Sequence, residues 1–113
     1  MDLNELLSIF DTELKRGTLT LVIMSQLQTP QYGYSLIQNL TDLNIEVEAG
    51  TLYPMLRRLQ KQGVLKSDWD TNESRPRKYY QLSDLGLKLF FRLKENWKNL
   101  SKQMNHILWE ENV

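Results

Sequence analysis

The chain contains no cysteine and only one histidine, His106, among its 113 residues. It therefore forms no disulfide, no thiolate metal site and no thiol redox switch, and a lone histidine does not build a histidine-rich metal centre. No run of about 18 apolar residues is present, and the N-terminal stretch MDLNELLSIFDTELKR carries acids where a secretory signal peptide begins with basic residues. We expect a cytoplasmic protein without a bound metal, a cofactor or a membrane span.

Signatures of catalysis are also missing. The fourteen acidic residues form no pair at a recognisable spacing, and the chain has no Ser, His and Asp set and no glycine-rich phosphate loop. With 41% hydrophobic and 25% charged residues, it supports a single modest core, and a subunit of this size often gains core by dimerising. We therefore expect one domain that is not an enzyme.

The net charge is zero over the whole chain but is distributed unevenly. Residues 1–50 hold two basic and seven acidic side chains, a net charge of −5. Residues 51–80 hold seven basic and three acidic side chains (+4), and residues 81–113 hold five and four (+1). Positive charge concentrated in the middle segment is typical of a phosphate-binding surface. A solvated face that binds nothing is the alternative, and charge alone does not separate the two.

The spacing of apolar residues predicts three helices before Gly63. The first has large side chains every three to four residues from Leu3 to Leu14 and continues into the apolar run 18–27; whether Gly17 divides it is open. A short second helix ends near residue 43 or 44, and a third begins at Glu48 or its neighbour and ends before Gly63. The third helix has a core stripe of four residues: Leu52, Met55, Leu56 and Leu59.

After Gly63 the pattern changes to a hairpin and a long helix. Two short runs rich in β-branched and aromatic residues flank the polar stretch DTNESRPRK, which predicts two strands with an exposed tip. Ser83 is a candidate N-cap for a helix that extends to about Trp109. Its apolar residues are separated by 3, 4, 3, 4 and 3, a heptad seam: Phe90, Leu93, Trp97, Leu100, Met104 and Ile107.

This order of elements predicts an α+β fold, mostly α: a winged helix-turn-helix with a long C-terminal dimerisation helix. We assign residues 1–82 to the winged helix-turn-helix, including the N-terminal helix, and residues 83–113 to the dimerisation helix, the two forming a single compact unit. The seam is too large to be buried by this chain alone except against its N-terminal helix or that of another copy. The predicted dimer interface combines the seam with Leu3, Leu6, Leu7 and Phe10.

The third helix and the hairpin tip carry candidate DNA contacts. Thr51, Tyr53 and Arg57 fall away from the core stripe, and arginine bonds guanine bidentately, while threonine and tyrosine reach phosphates or a thymine methyl. Arg77 and Lys78, with Arg75, would neutralise phosphates beside the groove or enter the minor groove, which gives affinity more than sequence choice. The alternatives are a solvated helix face on which Tyr53 covers the edge of the core, and a charged turn that prevents edge pairing.

Four segments resemble the PadR family of bacterial transcriptional regulators: LKRGTLTLVIMSQL, YGYSLIQNL, EAGTLYPMLRRLQKQGVL and SRPRKYYQLSDLG. The resemblance covers residues 13–86, and the single helix that follows is similar to the small LmrR-like subfamily of multidrug-sensing regulators. It implies a homodimer with a recognition helix and a wing on DNA, and repression that an effector relieves. The implied DNA contacts are Tyr34 and Ser35 near the phosphates, Thr51, Tyr53 and Arg57 on the recognition helix, and Ser74, Arg75, Arg77 and Lys78 on the wing. Family members often carry glycines at the wing tip, where this chain has Glu73, Ser74 and Arg75.

Trp97 lies eleven residues after Gly86, the spacing at which LmrR-like regulators place a tryptophan in the dimer interface. In those regulators the two indoles sandwich a flat aromatic drug, an arrangement that ring stacking favours. The resemblance therefore implies that Trp97 binds a small aromatic or hydrophobic effector, although a seam tryptophan is also ordinary core. Helix geometry places the opposing wall at Leu14, Thr18, Leu21 and Ser25.

Two functions are consistent with these observations. The first is a sequence-specific DNA-binding transcriptional regulator, a homodimeric repressor that a small effector releases from operator DNA. The second is a winged-helix module for protein association, without an effector or specific DNA binding. Salt dependence separates them, because binding through several phosphates weakens steeply as salt rises, whereas apolar association does not.

Overall fold

Four helices and three short strands make up the fold, described by a computed structural model for residues 1–72 and 74–110. In chain order they are α1 (Leu3–Gln26), β1 (Gln31–Tyr32), α2 (Gly33–Asp42), α3 (Ala49–Lys61), β2 (Leu65–Asp70), β3 (Arg77–Leu82) and α4 (Asp84–Trp109). The predicted fold class is confirmed: α2 and α3 form the helix-turn-helix, β2 and β3 form the wing, and a long C-terminal helix follows. Of these helices, none is both long and apolar enough to cross a membrane.

Local sequence signals set the helix ends. The carboxylate of Asp2 accepts a hydrogen bond from the Glu5 N–H at 2.8 Å, and the hydroxyl of Ser83 accepts one from the Gly86 N–H at 3.0 Å, which caps α1 and α4. Gly63 follows α3 with a φ of 80°, a left-handed conformation that glycine adopts readily. Gly17 lies inside α1 and does not divide it.

The sheet has one strand that the sequence did not predict. Its order is β1-β3-β2, with both pairs antiparallel. β1 consists of two residues, with Gln31 opposite Tyr80 and Tyr32 opposite Tyr79. Two residues are too few to produce an alternating pattern in the sequence, so β1 is recognised only from its pairing with β3.

The core lies where the C-terminal end of α1 meets α2, α3, the sheet and the first turns of α4. In the third helix Leu52, Leu56 and Leu59 are buried as predicted, and Met55 is half-buried. No polar or charged side chain is buried within the described residues. The buried core residues are Ile23, Met24, Leu27, Leu36, Leu40, Leu52, Leu56, Leu59, Val64, Leu65, Tyr80, Leu82 and Phe90.

The ends of the two long helices remain outside this core. The chain measures 64 × 36 × 24 Å, and its radius of gyration of 17.0 Å exceeds the value of about 13 Å expected for a compact chain of this length. Phe90, assigned to the dimer interface, is only 3% exposed because the first turns of α4 pack on the core of the same chain. Leu93 is half-buried. The other predicted interface residues expose between 40% and 78% of their surface: Leu3, Leu6, Leu7, Phe10, Trp97, Leu100, Met104 and Ile107.

Candidate nucleic-acid interface

The face of α3 opposite the core stripe is open to solvent. Thr51 and Arg57 are exposed on it, whereas Tyr53 is half-buried. The ring of Tyr53 lies against Gly33 at the start of α2. The contact is so close that a Cβ built on Gly33 would come within 2.3 Å of the Tyr53 hydroxyl oxygen. Tyr53 therefore joins the third helix to the second, and the glycine leaves the room for its ring.

Tyr80 of β3 lies next to this face of α3. Burial raises its pKa, and the nearby Tyr53 adds to that increase, while the positive charge of Arg57 acts in the opposite direction. The Nζ of Lys78 lies 5.4 Å from the centroid of the Tyr80 ring. Lys78 and Arg57 thus approach the same tyrosine, which places one wing cation beside the third helix.

The wing presents its cations on two faces. Lys78 pairs with Trp69, and Arg77 pairs with Asp70, at adjacent positions of the β2–β3 ladder. Because successive side chains of a strand point to opposite faces, Lys78 lies on the face that includes buried Tyr80, and Arg77 lies on the other. Arg75 is exposed in the loop between the strands, as is Ser74, and Glu73 lies outside the described residues.

Arg77 lies on a pair of stacked tyrosines. The rings of Tyr32 and Tyr34 are nearly parallel, at an interplanar angle of 3° and a centroid separation of 5.7 Å. The guanidinium carbon of Arg77 is 4.9 Å from the Tyr32 ring centroid and 5.7 Å from that of Tyr34, within the range of cation–π attraction. Arg77 Nη1 also donates a hydrogen bond of 2.5 Å to the Tyr34 hydroxyl. The side chain is therefore held between the wing and the start of α2.

Asp70 completes this arrangement from the end of β2. The hydroxyl of Tyr32 donates a hydrogen bond to the Asp70 carboxylate. That bond, followed by one of 3.0 Å from the Asn72 N–H, lowers the pKa of Asp70, so its carboxylate is ionised at neutral pH. The same bond to Asp70 raises the pKa of Tyr32, which keeps its hydroxyl protonated as the donor.

Neither Asp70 nor Tyr32 was identified from the sequence. Tyr32 precedes α2, and Asp70 ends β2, 38 positions later. They meet because β1 pairs with β3, which in turn pairs with β2. The only sequence signal is the pair of tyrosines at positions 32 and 34, whose partners depend on a strand register that the residue pattern does not give.

An open cavity of about 560 Å³ lies between the start of α2, the third helix and the wing. It brings together five of the nine predicted DNA contacts, which are Tyr34, Tyr53, Arg75, Arg77 and Lys78. Guanidinium, ammonium and phenol groups donate hydrogen bonds that phosphate oxygens can accept. The other lining residues are Tyr32, Gly33, Pro76 and Tyr80.

The remaining four predicted DNA contacts lie outside this cavity lining. Ser35 is half-buried at the start of α2, and its hydroxyl donates a 3.1 Å hydrogen bond to the Tyr32 carbonyl. Thr51 and Arg57 occupy the solvent face of α3, and Ser74 is exposed in the wing loop. Of the nine predicted contacts, five therefore line the cavity, two lie on the solvent face of α3, and Ser35 and Ser74 lie on neither.

The residues predicted to bind an effector lie on the two long helices. Trp97 is 46% exposed on α4, and Leu14 is 75% exposed on α1. Thr18, Leu21 and Ser25 are half-buried on α1. The hydroxyls of Thr18 and Ser25 donate hydrogen bonds to carbonyls three residues earlier in the same helix, so each already has a partner within α1.

Comparison with known proteins gives the same family that the sequence motifs indicated. The model of the transcriptional regulator PadR-like family matches residues 21–91. A PadR family transcriptional regulator from Eggerthella lenta is 42% identical, with a TM-score of 0.89 over 96% of both chains. A PadR-like transcription factor from Bacteroides fragilis is 35% identical, with a TM-score of 0.74 over 87% of this chain and 97% of the other. A transcriptional regulator from Clostridium thermocellum is 30% identical, with a TM-score of 0.76 over 85% of this chain and 98% of the other. The chain therefore belongs to the PadR-like family of transcriptional regulators, and it is a DNA-binding regulator built on a winged helix.

Proposed function

We propose that this regulator is a homodimeric repressor that binds a specific operator and leaves it when a small aromatic or hydrophobic effector occupies the dimer interface. The observation that carries the proposal is the apolar surface on the ends of α1 and α4. The recognition face of α3 and the wing lie at the opposite ends of these helices, next to the core. Dimerisation through the helices would therefore leave both DNA-binding faces free.

The exposed apolar side chains favour association with a second copy. Phe10 and Ile107 each expose 65% of their surface, and Leu14 exposes 75%. Monomeric soluble proteins rarely expose large contiguous apolar patches, and full burial of such a side chain contributes about 1.5–3 kcal/mol. A closed twofold dimer is the commonest symmetric assembly and would bury the same surface on both copies.

In this dimer the two α3 helices would enter successive major grooves. Half-sites one helical turn apart require the recognition helices to be separated by about 34–36 Å. Arg57 would bond a base edge from the solvent face of α3, while Lys78 and Arg77 would neutralise phosphates on either side of the wing. Base contacts would provide sequence choice, and phosphate contacts would provide most of the salt-dependent affinity.

An effector would act through the distance between the two DNA-binding faces. Trp97 and its counterpart on the partner copy would bind a planar ring by stacking. Such a ligand changes DNA affinity only if it binds one dimer arrangement more tightly than the other. Repression would then be relieved by the arrangement in which the two α3 helices no longer match the half-site spacing.

The DNA-binding part is tested by fluorescence anisotropy with the DNA upstream of the protein's own gene, against scrambled DNA, at two salt concentrations. Arg57→Ala should lower the affinity for the specific site by about 1–3 kcal/mol, because a bidentate base contact is lost. Arg92→Ala, which removes an exposed arginine from α4, is the charge-matched control. Equal losses for the two variants would refute a base-reading role for Arg57. Equal binding of wild-type protein to both DNAs would refute specific recognition of this site.

The effector part is tested by calorimetric titration with a panel of planar aromatic dyes. Trp97→Ala should weaken dye binding at least tenfold, because the stacking surface is removed. Trp109→Ala, which removes a tryptophan that is 79% exposed at the end of the same helix, should leave the isotherm unchanged. A Trp97→Ala isotherm equal to that of the wild type would rule out this pocket.

A further inference from the structure

We propose that Asp70 and Tyr32 are positioning residues that strengthen DNA binding by fixing the wing arginine, Arg77, against the start of α2. The inference rests on the proposed DNA-binding function and adds two residues to it. Neither of the two needs to touch DNA. Asp70 is an acid on a surface that binds polyanions, so its contribution has the opposite sign from the one its charge alone would give.

The contacts form a closed chain from the wing to the second helix. The Asp70 carboxylate accepts a hydrogen bond from the Tyr32 hydroxyl, which fixes the orientation of the Tyr32 ring. The Arg77 guanidinium carbon lies 4.9 Å from the centroid of the Tyr32 ring. The Tyr32 ring also stacks on the parallel ring of Tyr34. The Tyr34 hydroxyl then accepts a hydrogen bond from Arg77 Nη1. Asp70 and Arg77 are also cross-strand partners in the β2–β3 ladder. The series of contacts therefore begins and ends on the wing.

Holding Arg77 in place matters because a free arginine side chain loses conformational entropy when it binds a phosphate. Both arginine and lysine carry about 2 kcal/mol of rotamer entropy, and a side chain that is already ordered loses less of it on binding. The outer part of the hairpin also extends beyond the core, with Asp68 and Trp69 exposed. The side-chain contacts of Asp70, Tyr32, Arg77 and Tyr34 connect this part of the wing to α2, the element predicted to lie near the phosphates.

The charge of Asp70 predicts the opposite effect. An acid close to the DNA backbone repels it, so removing the acid is expected to tighten binding when charge is the only factor. The positioning role predicts weaker binding, since Tyr32 and then Arg77 lose their orientation. The sign of the affinity change therefore separates the two explanations.

Asp68 provides a matched control on the same strand. It lies two residues before Asp70 and therefore on the same face of the sheet. It is exposed, and its carboxylate accepts a hydrogen bond from the adjacent Trp69 N–H. Asp68→Ala and Asp70→Ala remove the same charge from neighbouring positions, but only Asp70→Ala disconnects Tyr32.

The experiment is anisotropy titration of the operator with wild-type protein, Asp70→Ala, Asp68→Ala and Tyr32→Phe, with a urea unfolding midpoint for each. Asp70→Ala and Tyr32→Phe should each weaken operator binding on the order of tenfold, as expected for loss of a hydrogen bond to a charged group. Asp68→Ala should bind as tightly as wild type or more tightly. In an Arg77→Ala background, Asp70→Ala should cause no further loss, because the group that it positions is gone.

Two results would overturn the positioning role: Asp70→Ala binding at least as tightly as Asp68→Ala, or Asp70→Ala weakening binding equally with and without Arg77. A wild-type protein that does not distinguish operator from scrambled DNA would instead refute the proposed function. An independent readout is the side-chain NMR resonance of Arg77, which the Tyr32 ring should shift upfield. That shift should disappear in Asp70→Ala, and a shift unchanged from wild type would show that Asp70 does not hold the arginine.

Discussion

Gly86, at the third position of α4, has no room for even a methyl group. A Cβ built there would lie 2.1 Å from the Val64 carbonyl oxygen and 3.2 Å from a methyl of Leu82. The nearer atom is backbone, so it does not move aside as a side chain would. It also accepts hydrogen bonds from the N–H and the hydroxyl of Ser83, the N-cap of α4. Replacing Gly86 with alanine therefore has to displace either the helix or this capped junction.

We expect Gly86→Ala to lower the free energy of unfolding by about 1–4 kcal/mol. Overpacking of a close contact costs typically about 1–3 kcal/mol, and loss of an N-cap costs about 1 kcal/mol more. The better helix propensity of alanine offsets at most about 1 kcal/mol. With a urea dependence of about 2 kcal/mol per molar, the unfolding midpoint should fall by roughly 0.5–2 M.

The assay is urea unfolding followed by circular dichroism at one fixed protein concentration, since the proposed dimer would make apparent stability depend on concentration. Gly50→Ala is the control, because Gly50 also lies in the first turn of a helix but a Cβ there meets nothing within 4 Å. Gly50→Ala should be neutral or stabilising by up to about 1 kcal/mol. A Gly86→Ala midpoint at or above that of Gly50→Ala would refute the steric reasoning.

Two further predictions concern Gly33, which lines the cavity beside the wing, and Asp70, which bonds the cavity residue Tyr32. Gly33→Ala places a Cβ 2.3 Å from the Tyr53 hydroxyl oxygen and 2.6–2.7 Å from two carbons of its ring, so the ring should swing off α2. Anisotropy should show weaker operator binding. The urea midpoint should fall less than for Gly86→Ala, because a side chain can move whereas backbone cannot. The lowered pKa of Asp70 means that its contribution to stability is complete above the ordinary value of about 3.9 and is lost as the pH falls through the lower value in the folded state. The unfolding free energies of wild type and Asp70→Ala should therefore differ by a constant amount from about pH 5 to pH 8 and converge at lower pH; a difference that grows on acidification would contradict this linkage.

The helices were predictable from the sequence where capping residues, glycines and apolar spacing mark their extent. Ser83 caps α4, Gly63 follows α3 in the left-handed conformation, and Leu52 begins the buried stripe of α3. These signals act over a few residues and do not depend on distant partners. The heptad seam was equally visible, but its spacing did not show that Phe90 packs into the core of its own chain while Trp97 remains exposed.

The cavity was only partly predictable, because its chemistry depends on strand register. The charge of Arg77 and the phenol of Tyr34 were identified from the motif, but not that they bond each other. That contact requires β1, a strand of two residues, to place Tyr32 beside Tyr79. A shift of one residue in that pairing would turn Tyr32 to the other face of the sheet and separate it from Asp70.

The two consecutive wing cations have different surroundings, and we therefore expect them to contribute differently to DNA affinity and to sequence selectivity. Lys78 lies over Tyr80, next to the recognition helix, whereas Arg77 is fixed on Tyr32 beside α2. A cation that is held in place by its own protein can contact a phosphate only when the duplex brings that phosphate to a defined position. Binding at Arg77 would then depend on the shape and position of the backbone, which vary with sequence, even though no base edge is touched. The ordered arginine would then contribute to selectivity as well as affinity, and the lysine next to it would contribute mainly charge.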